Sequence, residues 1–402
     1  MNVTRRHFGQ IAAAFALMAS PALAQDWQTI TQAAKGQTVY WHAWGGDPKI
    51  NEFIDFIGAE AESRYGVKLE HVKLASTTDA VARVLAERDA GQTTGGAVDL
   101  IWINGENFAA MKEQGLLYGP FATDLPNWPL VDALGKPATT IDFTLPTDGY
   151  ESPWAMAQLV FEYDTARLPT PPADLAALKA HILTNPGRFT YPQPPDYLGT
   201  TFLKQLLYGV MDDPAILQSP VTDSGYDVAT ATLWAFLDQI HPALWRKAQA
   251  FPANEPALGQ LLADGEIDIS FAFNPGRASA EISAGTLPDT VRTFVLDGGT
   301  IGNASFVAIP FNAAHREGAL VIANLILDPV VQARAQDPGI LGFQTVLNVS
   351  RLPTEDKARF DALSLGAATL TPDQLGPTLL EPHASWMTRI ADDWVGRYGV
   401  AQ

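Results

Sequence analysis

No cysteine occurs anywhere in the 402 residues. That excludes a disulfide framework, a thiolate metal site, a cysteine nucleophile and a lipid anchor on cysteine. Basic residues are also scarce. Lys and Arg number 26 against 44 Asp and Glu, for a net charge of −18. Nucleic-acid binding needs clustered Lys and Arg, so that partner class is excluded. The acidic balance suits a solvated surface, and it also suits cationic ligands. Long apolar runs are missing too. The run from Ile11 to Ala19 is too short to cross a bilayer, and no later segment is longer. G-x-S-x-G, H-E-x-x-H, a P-loop and G-x-G-x-x-G are all absent, and the histidines are scattered without zinc-like spacing.

The N-terminus does carry a pattern. Thr4-Arg5-Arg6-His7-Phe8, the apolar run and the small-residue site Ala22-Leu23-Ala24 together read as a secretory signal. The arginine pair fits the twin-arginine route, and an ordinary Sec signal holding two arginines fits as well. Cleavage after Ala24 leaves a mature chain beginning at Gln25, in the periplasm. About 380 residues suit two domains better than one core.

Strand and helix signals alternate along the first third. Val39 to Trp41, Val67 to Leu74 and Val98 to Ile103 read as strands. Asp47-Pro48 opens a helix with the stripe Ile50, Phe53, Ile54, Ile57 and Ala61, and Gly66 stops it. A third helix spans Phe108 to Leu117. This βαβαβ order predicts a parallel sheet. The middle yields helices at 175–183, 200–210 and 227–240, and strands at 188–191, 266–273, 291–296 and 305–309. The last third is helical (316–327, 329–336, 355–363 and 385–398), with no new strand series, so these helices are expected on the first lobe. Gln158 to Tyr163 and Phe306 to Ile309 read as crossings between lobes. Two such strands make a hinge with a cleft beside it. The expected division is a leader at 1–24, a first lobe of 25–157 plus 305–402, and a second lobe of 158–304.

Several stretches resemble the extracellular solute-binding proteins of bacterial ABC importers, in particular the YnjB-type branch. They are Tyr40-Trp41-His42-Ala43-Trp44-Gly45-Gly46, Val98 to Phe108 (with Trp102-Ile103-Asn104-Gly105-Glu106-Asn107-Phe108), Arg188 to Pro192, Gly299 to Asn303 and Phe306 to Pro310. The resemblance implies an α/β, two-lobed periplasmic-binding-protein fold of type II. Such a protein closes on a small solute by hinge motion and delivers it to an inner-membrane permease, as a monomer and without a cofactor.

In open α/β sheets ligands sit at the carboxyl ends of strands, beside helix N-termini. The first strand end offers Trp41, Trp44 and Gly45, stacking faces beside a backbone that a ligand can approach. A glycine turn with two core tryptophans accounts for the same residues. The third strand end offers Asn104, Glu106 and Asn107, which could equally cap the next helix. Tyr197, Thr200 and Thr201 precede a helix whose free N–H groups suit an anion, and Thr200 also reads as its N-cap. Asn274, Asn303 and Trp154 complete the candidates, the first two also fitting turns. Tryptophans with Glu106 suit a cation, helix N-termini suit an anion, and a zwitterion or phosphorylated cation, such as a thiamine-like compound, uses both. No Tyr-Tyr pair of the ferric-ion binders is present. The rival reading is a secreted hydrolase, such as a glycosidase working with cleft carboxylates.

Overall fold

The structure, a computed structural model, describes residues 21–376 and 378–399. The expected leader lies outside the described residues except for its last four, which open the helix Pro21–Ala34. Eleven strands follow in chain order: β1 Thr38–Trp44, β2 Lys68–Leu74, β3 Leu100–Ile103, β4 Ile141–Asp142, β5 Leu145–Pro146, β6 Glu151–Gln158, β7 Val160–Asp164, β8 Ile269–Ala272, β9 Val291–Phe294, β10 Thr300–Ala308 and β11 Thr378–Leu379.

The first lobe is built as its pattern predicts. β2, β1 and β3 run parallel, and β10 closes the set antiparallel to β3. The helix Pro48–Tyr65 starts where Asp47 accepts from the amides of Lys49 and Ile50, and it ends at Gly66, whose φ of 69° favours glycine. Its buried face is Ile50, Phe53, Ile54, Ile57 and Ala61. Each larger side chain gains about 1.5–3 kcal/mol on leaving water.

The second lobe has a smaller antiparallel sheet, β8-β7-β9, under the helices Tyr197–Val210, Asp223–Ile240 and Glu255–Ala263. The expected strand at 188–191 is reduced to a single bridge, Phe189 with Ile269. The helix expected from Thr200 begins earlier, at Tyr197, where Asp196 accepts from the Gly199 amide.

β6 and β10 carry the chain between lobes. They pair antiparallel from Gly302–Gln158 to Ala308–Glu151, with an irregularity at Ser305/Phe306. Ala155 belongs to the first core, whereas Leu159 belongs to the second. The change of core therefore falls between Met156 and Leu159, at the start of the Gln158 to Tyr163 stretch expected, and the rest of that stretch, β7, is a full member of the second sheet.

One part of the expectation for the last third is corrected. The tail helix Ala384–Tyr398 packs chiefly on the second lobe and touches the first through Thr388, which donates to Glu106. Trp386, Ile390 and Trp394 lie in the second core, with both tryptophans fully buried. Trp394 Nε1 donates to the Tyr191 hydroxyl at 2.8 Å, and Trp386 Nε1 donates to the Ser219 carbonyl at 2.9 Å. An apolar stripe tells that a helix packs, not against what; the aromatic hollow around Tyr191, Phe202 and Phe251 is the surface that fits it. Trp394→Ala should cost about 3–5 kcal/mol of unfolding free energy. Urea denaturation checks this, and a loss below about 1 kcal/mol would contradict the tail's place in the second core.

The cleft between the lobes

β3 ends at Ile103, and the next helix, Gly105–Glu113, points its N-terminus at the second lobe. Asn104 does not cap it. Its Nδ2 donates instead to the Ala304 carbonyl at 2.6 Å, on the crossing strand. The helix end is held by Asp142, whose Oδ2 accepts from the Gly105 amide at 2.6 Å. Burial pushes the Asp142 carboxyl up to about 8, against the pull of that amide. Glu151 is also fully buried and neither carboxylate oxygen has a hydrogen-bond partner. Burial first, and the neighbouring Asp142 second, raise it well above the usual carboxylate range, which favours its neutral form.

Facing these from the second lobe is a sealed polar group. Lys204 Nζ donates to Glu381 Oε2 at 2.6 Å, and both side chains are out of solvent. The Tyr197 hydroxyl donates to Glu381 Oε1 at 3.1 Å, and Asn303 Nδ2 donates to the Tyr197 oxygen at 2.8 Å. Lys204 lies 5.1 Å from the Phe143 ring of the first lobe and 5.3 Å from the Tyr197 ring. Removing one partner of such a buried pair strands a charge, at about 3–5 kcal/mol. The Tyr197 residue is 37% exposed although its hydroxyl is tied down. It meets Phe273 edge-on, with centroids 5.6 Å apart.

The other end of the cleft is ionic. Arg277 Nη1 donates to Glu162 Oε2 at 2.7 Å, and its Nε lies 3.3 Å from Glu255 Oε1. Glu255 also accepts from the Phe273 amide at 3.3 Å. Its side chain is 28% exposed, yet burial between the lobes lifts its carboxyl to about 7, with Arg277 pulling the other way. Gly259 makes the arrangement possible, since a Cβ there would strike the Arg277 guanidinium.

The residues expected from sequence meet different fates. Tyr197, Asn104 and Asn303 come together at one end of the cleft. Trp41 and Trp154 do not line it: both are fully buried, 6.1 Å apart edge-on in the first core. Trp44 is half-buried at the end of β1. Gly45 is spent on a turn, its amide donating to the Leu74 carbonyl and its carbonyl accepting from Asn51. Glu106 accepts from Thr388 at 3.2 Å across the lobes, and Asn107 accepts from Thr78 at 3.3 Å within the first lobe. Thr200 and Thr201 sit inside the helix, fully buried, with hydroxyls lacking partners. Asn274 Nδ2 donates to the Leu341 carbonyl at 2.5 Å. Sequence reasoning missed Asp142, Glu162, Lys204, Glu255, Arg277 and Glu381. Two were detectable in kind. Lys204 interrupts Phe202-Leu203 and Leu206-Leu207, and Glu162 interrupts Val160-Phe161; a charge inside an apolar run needs a buried partner.

The family of bacterial extracellular solute-binding proteins matches residues 57–358. Protein YnjB of Escherichia coli (strain K12) is 41% identical over 394 residues, covering 98% of this chain and 99% of that one. Solved structures share the fold at low identity. The periplasmic binding protein AfuA from Actinobacillus pleuropneumoniae, with fructose-6-phosphate bound, is 15% identical at a TM-score of 0.61, over 91% of this chain and 99% of its own. A spermidine/putrescine ABC transporter protein from Listeria monocytogenes is 17% identical at 0.62, over 90% and 98%. The two-lobed, type II periplasmic-binding-protein fold expected from the resemblance is thus met, and the hydrolase reading finds no support. The chain belongs to the bacterial extracellular solute-binding proteins, and it is the component of an ABC transporter that captures a small solute between its lobes for the permease.

Proposed function

We propose that the solute is a small organic cation, or a zwitterion held by its positive end, taken up in the periplasm after cleavage of the leader behind Ala24. The observation that carries this reading concerns the helix N-termini. At two helices that begin beside the cleft, an acidic side chain of the chain itself already accepts from a free amide: Asp142 at Gly105 and Asp196 at Gly199. An anionic ligand would have to displace them. The remaining cleft charges point the same way. Asp47, Glu162, Glu255, Glu281 and Glu381 stand against Lys49, Lys204 and Arg277, while Asp142, its carboxyl pushed up to about 8, adds little charge at pH 7. Phe273, whose amide donates to Glu255, and Tyr197, edge-on to Phe273 at 5.6 Å, set two aromatic rings near that carboxyl, surroundings that suit a desolvated cation. Among the described residues no group of three His, Asp or Glu side chains is placed to hold a metal ion, which favours an organic cation.

The fold itself does not choose between charges. One similar structure holds a sugar phosphate and another belongs to a polyamine transporter. The chain's own side chains support the cation, and thiamine-like compounds combine the positive charge with a ring that Tyr197 can stack on. The lobes in this reading are 25–157 with 305 to about 361, and 158–304 with the tail, as the core assignments of Phe360 and Trp386 suggest.

A thermal-shift screen of the mature protein should respond to thiamine, choline or polyamines. Ligand at a hundred times its Kd stabilises by about 2.7 kcal/mol. A response confined to sulfate and sugar phosphates would overturn the cation. Glu255→Gln and Tyr197→Ala should each weaken the best cation at least tenfold by calorimetry. Because the Glu255 carboxyl titrates near 7, cation affinity should rise between pH 6 and 8 as its charge appears. That rise should shrink in Glu255→Gln to what Asp142, at about 8, contributes; an unchanged slope would remove Glu255 from the site.

A further inference from the structure

We infer that Gly276 and Gly342 form a closure contact that sets how far the lobes shut, and so how tightly any solute is held, without touching the solute. Gly276 opens the helix Arg277–Ala284 of the second lobe. Gly342 follows Leu341 of the first core. The two backbones meet directly. A Cβ built on Gly276 would lie 2.5 Å from both the Cα and the carbonyl oxygen of Gly342, and one on Gly342 would lie 2.7 Å from the Gly276 Cα. Backbone cannot yield as the end of a flexible side chain can, so only glycine permits this approach.

Two further contacts surround it. Asn274 Nδ2 donates to the Leu341 carbonyl while its Oδ1 accepts from the Gly276 amide at 3.0 Å. Lys49 Nζ meets Glu281 Oε1 at 3.2 Å one turn further along the same helix. The helix also starts with Arg277, which holds the cleft-facing Glu255. The element that reads the cleft is therefore the element that closes against the first lobe. Asn274, expected as a ligand contact, serves the closure instead.

Gly276 is the useful residue to alter. Its φ of −89° suits any amino acid, and the atoms a Cβ there meets first are the Gly342 backbone of the first lobe. The natural chain has no cysteine, so Lys49→Cys with Glu281→Cys gives a single defined pair. A short bis-maleimide should link that pair in the otherwise unchanged protein. Adding Gly276→Val should slow linkage at least tenfold with an unchanged melting temperature and circular dichroism spectrum. Asn274→Asp keeps the acceptor for the Gly276 amide and loses the donor to Leu341, and it should slow linkage in the same direction. No linkage in the parent pair, or linkage at the parent rate in both variants, would overturn the contact. The probe involves no solute, so this result stands apart from whether the solute is a cation.

Discussion

Everything else hangs on the antiparallel pairing of β6 with β10. Seven residue pairs join two strands that belong to both lobes at once. Ordinary ladder hydrogen bonds make the join stiff along the strands, while the irregularity at Ser305/Phe306 gives it a place to bend and twist. Three polar side chains of the cleft are anchored to these strands. Asn303 is on β10, Asn104 grips the Ala304 carbonyl, and Glu151 begins β6. The tail reinforces the join from outside. β11 pairs with the start of β10, and Gln158 Nε2 donates to Thr300 and to the Leu375 carbonyl. A receptor that must open and close needs its moving parts mounted on something that does not unfold, and this ladder is that mount.

The buried charges follow from the same demand. A cleft that expels water strengthens every electrostatic contact inside it and makes each unpaired charge costly. The chain answers in three ways. Lys204 and Glu381 pair, with Tyr197 and Asn303 filling the remaining valences of the carboxylate. Glu162 takes Arg277 and the Ser270 hydroxyl. Glu151 is pushed toward its neutral form. Glu255 is the intermediate case, with a partner, partial exposure and a carboxyl lifted to about 7. A group poised in that way gains most from a positive neighbour, and this links the energetics of the cleft to the chemistry of what it receives.

Periodicity, capping residues and glycine stops determined the elements of the first lobe, because those signals are local. Asp47, Pro48 and Gly66 bound a helix whatever it packs against. The alternation of strand and helix likewise determined a parallel sheet, and two apolar strands between the units determined that there would be two lobes. Trp41 and Trp154 show the limit. An aromatic at a strand end reads the same whether it faces a ligand or a core, and only packing against Trp102 and Phe343 placed Trp154 inside.

The tertiary structure decided the rest, and for one reason: the deciding partners are far apart in sequence. Lys204 meets Glu381 across 177 positions, and Asn104 meets Ala304 across 200. The tail's second-core address depends on Tyr191, and the glycine contact joins Gly276 to Gly342. By itself the sequence determined the class of molecule and the units it is built from; which charges face one another across the cleft was decided only when the chain closed on itself.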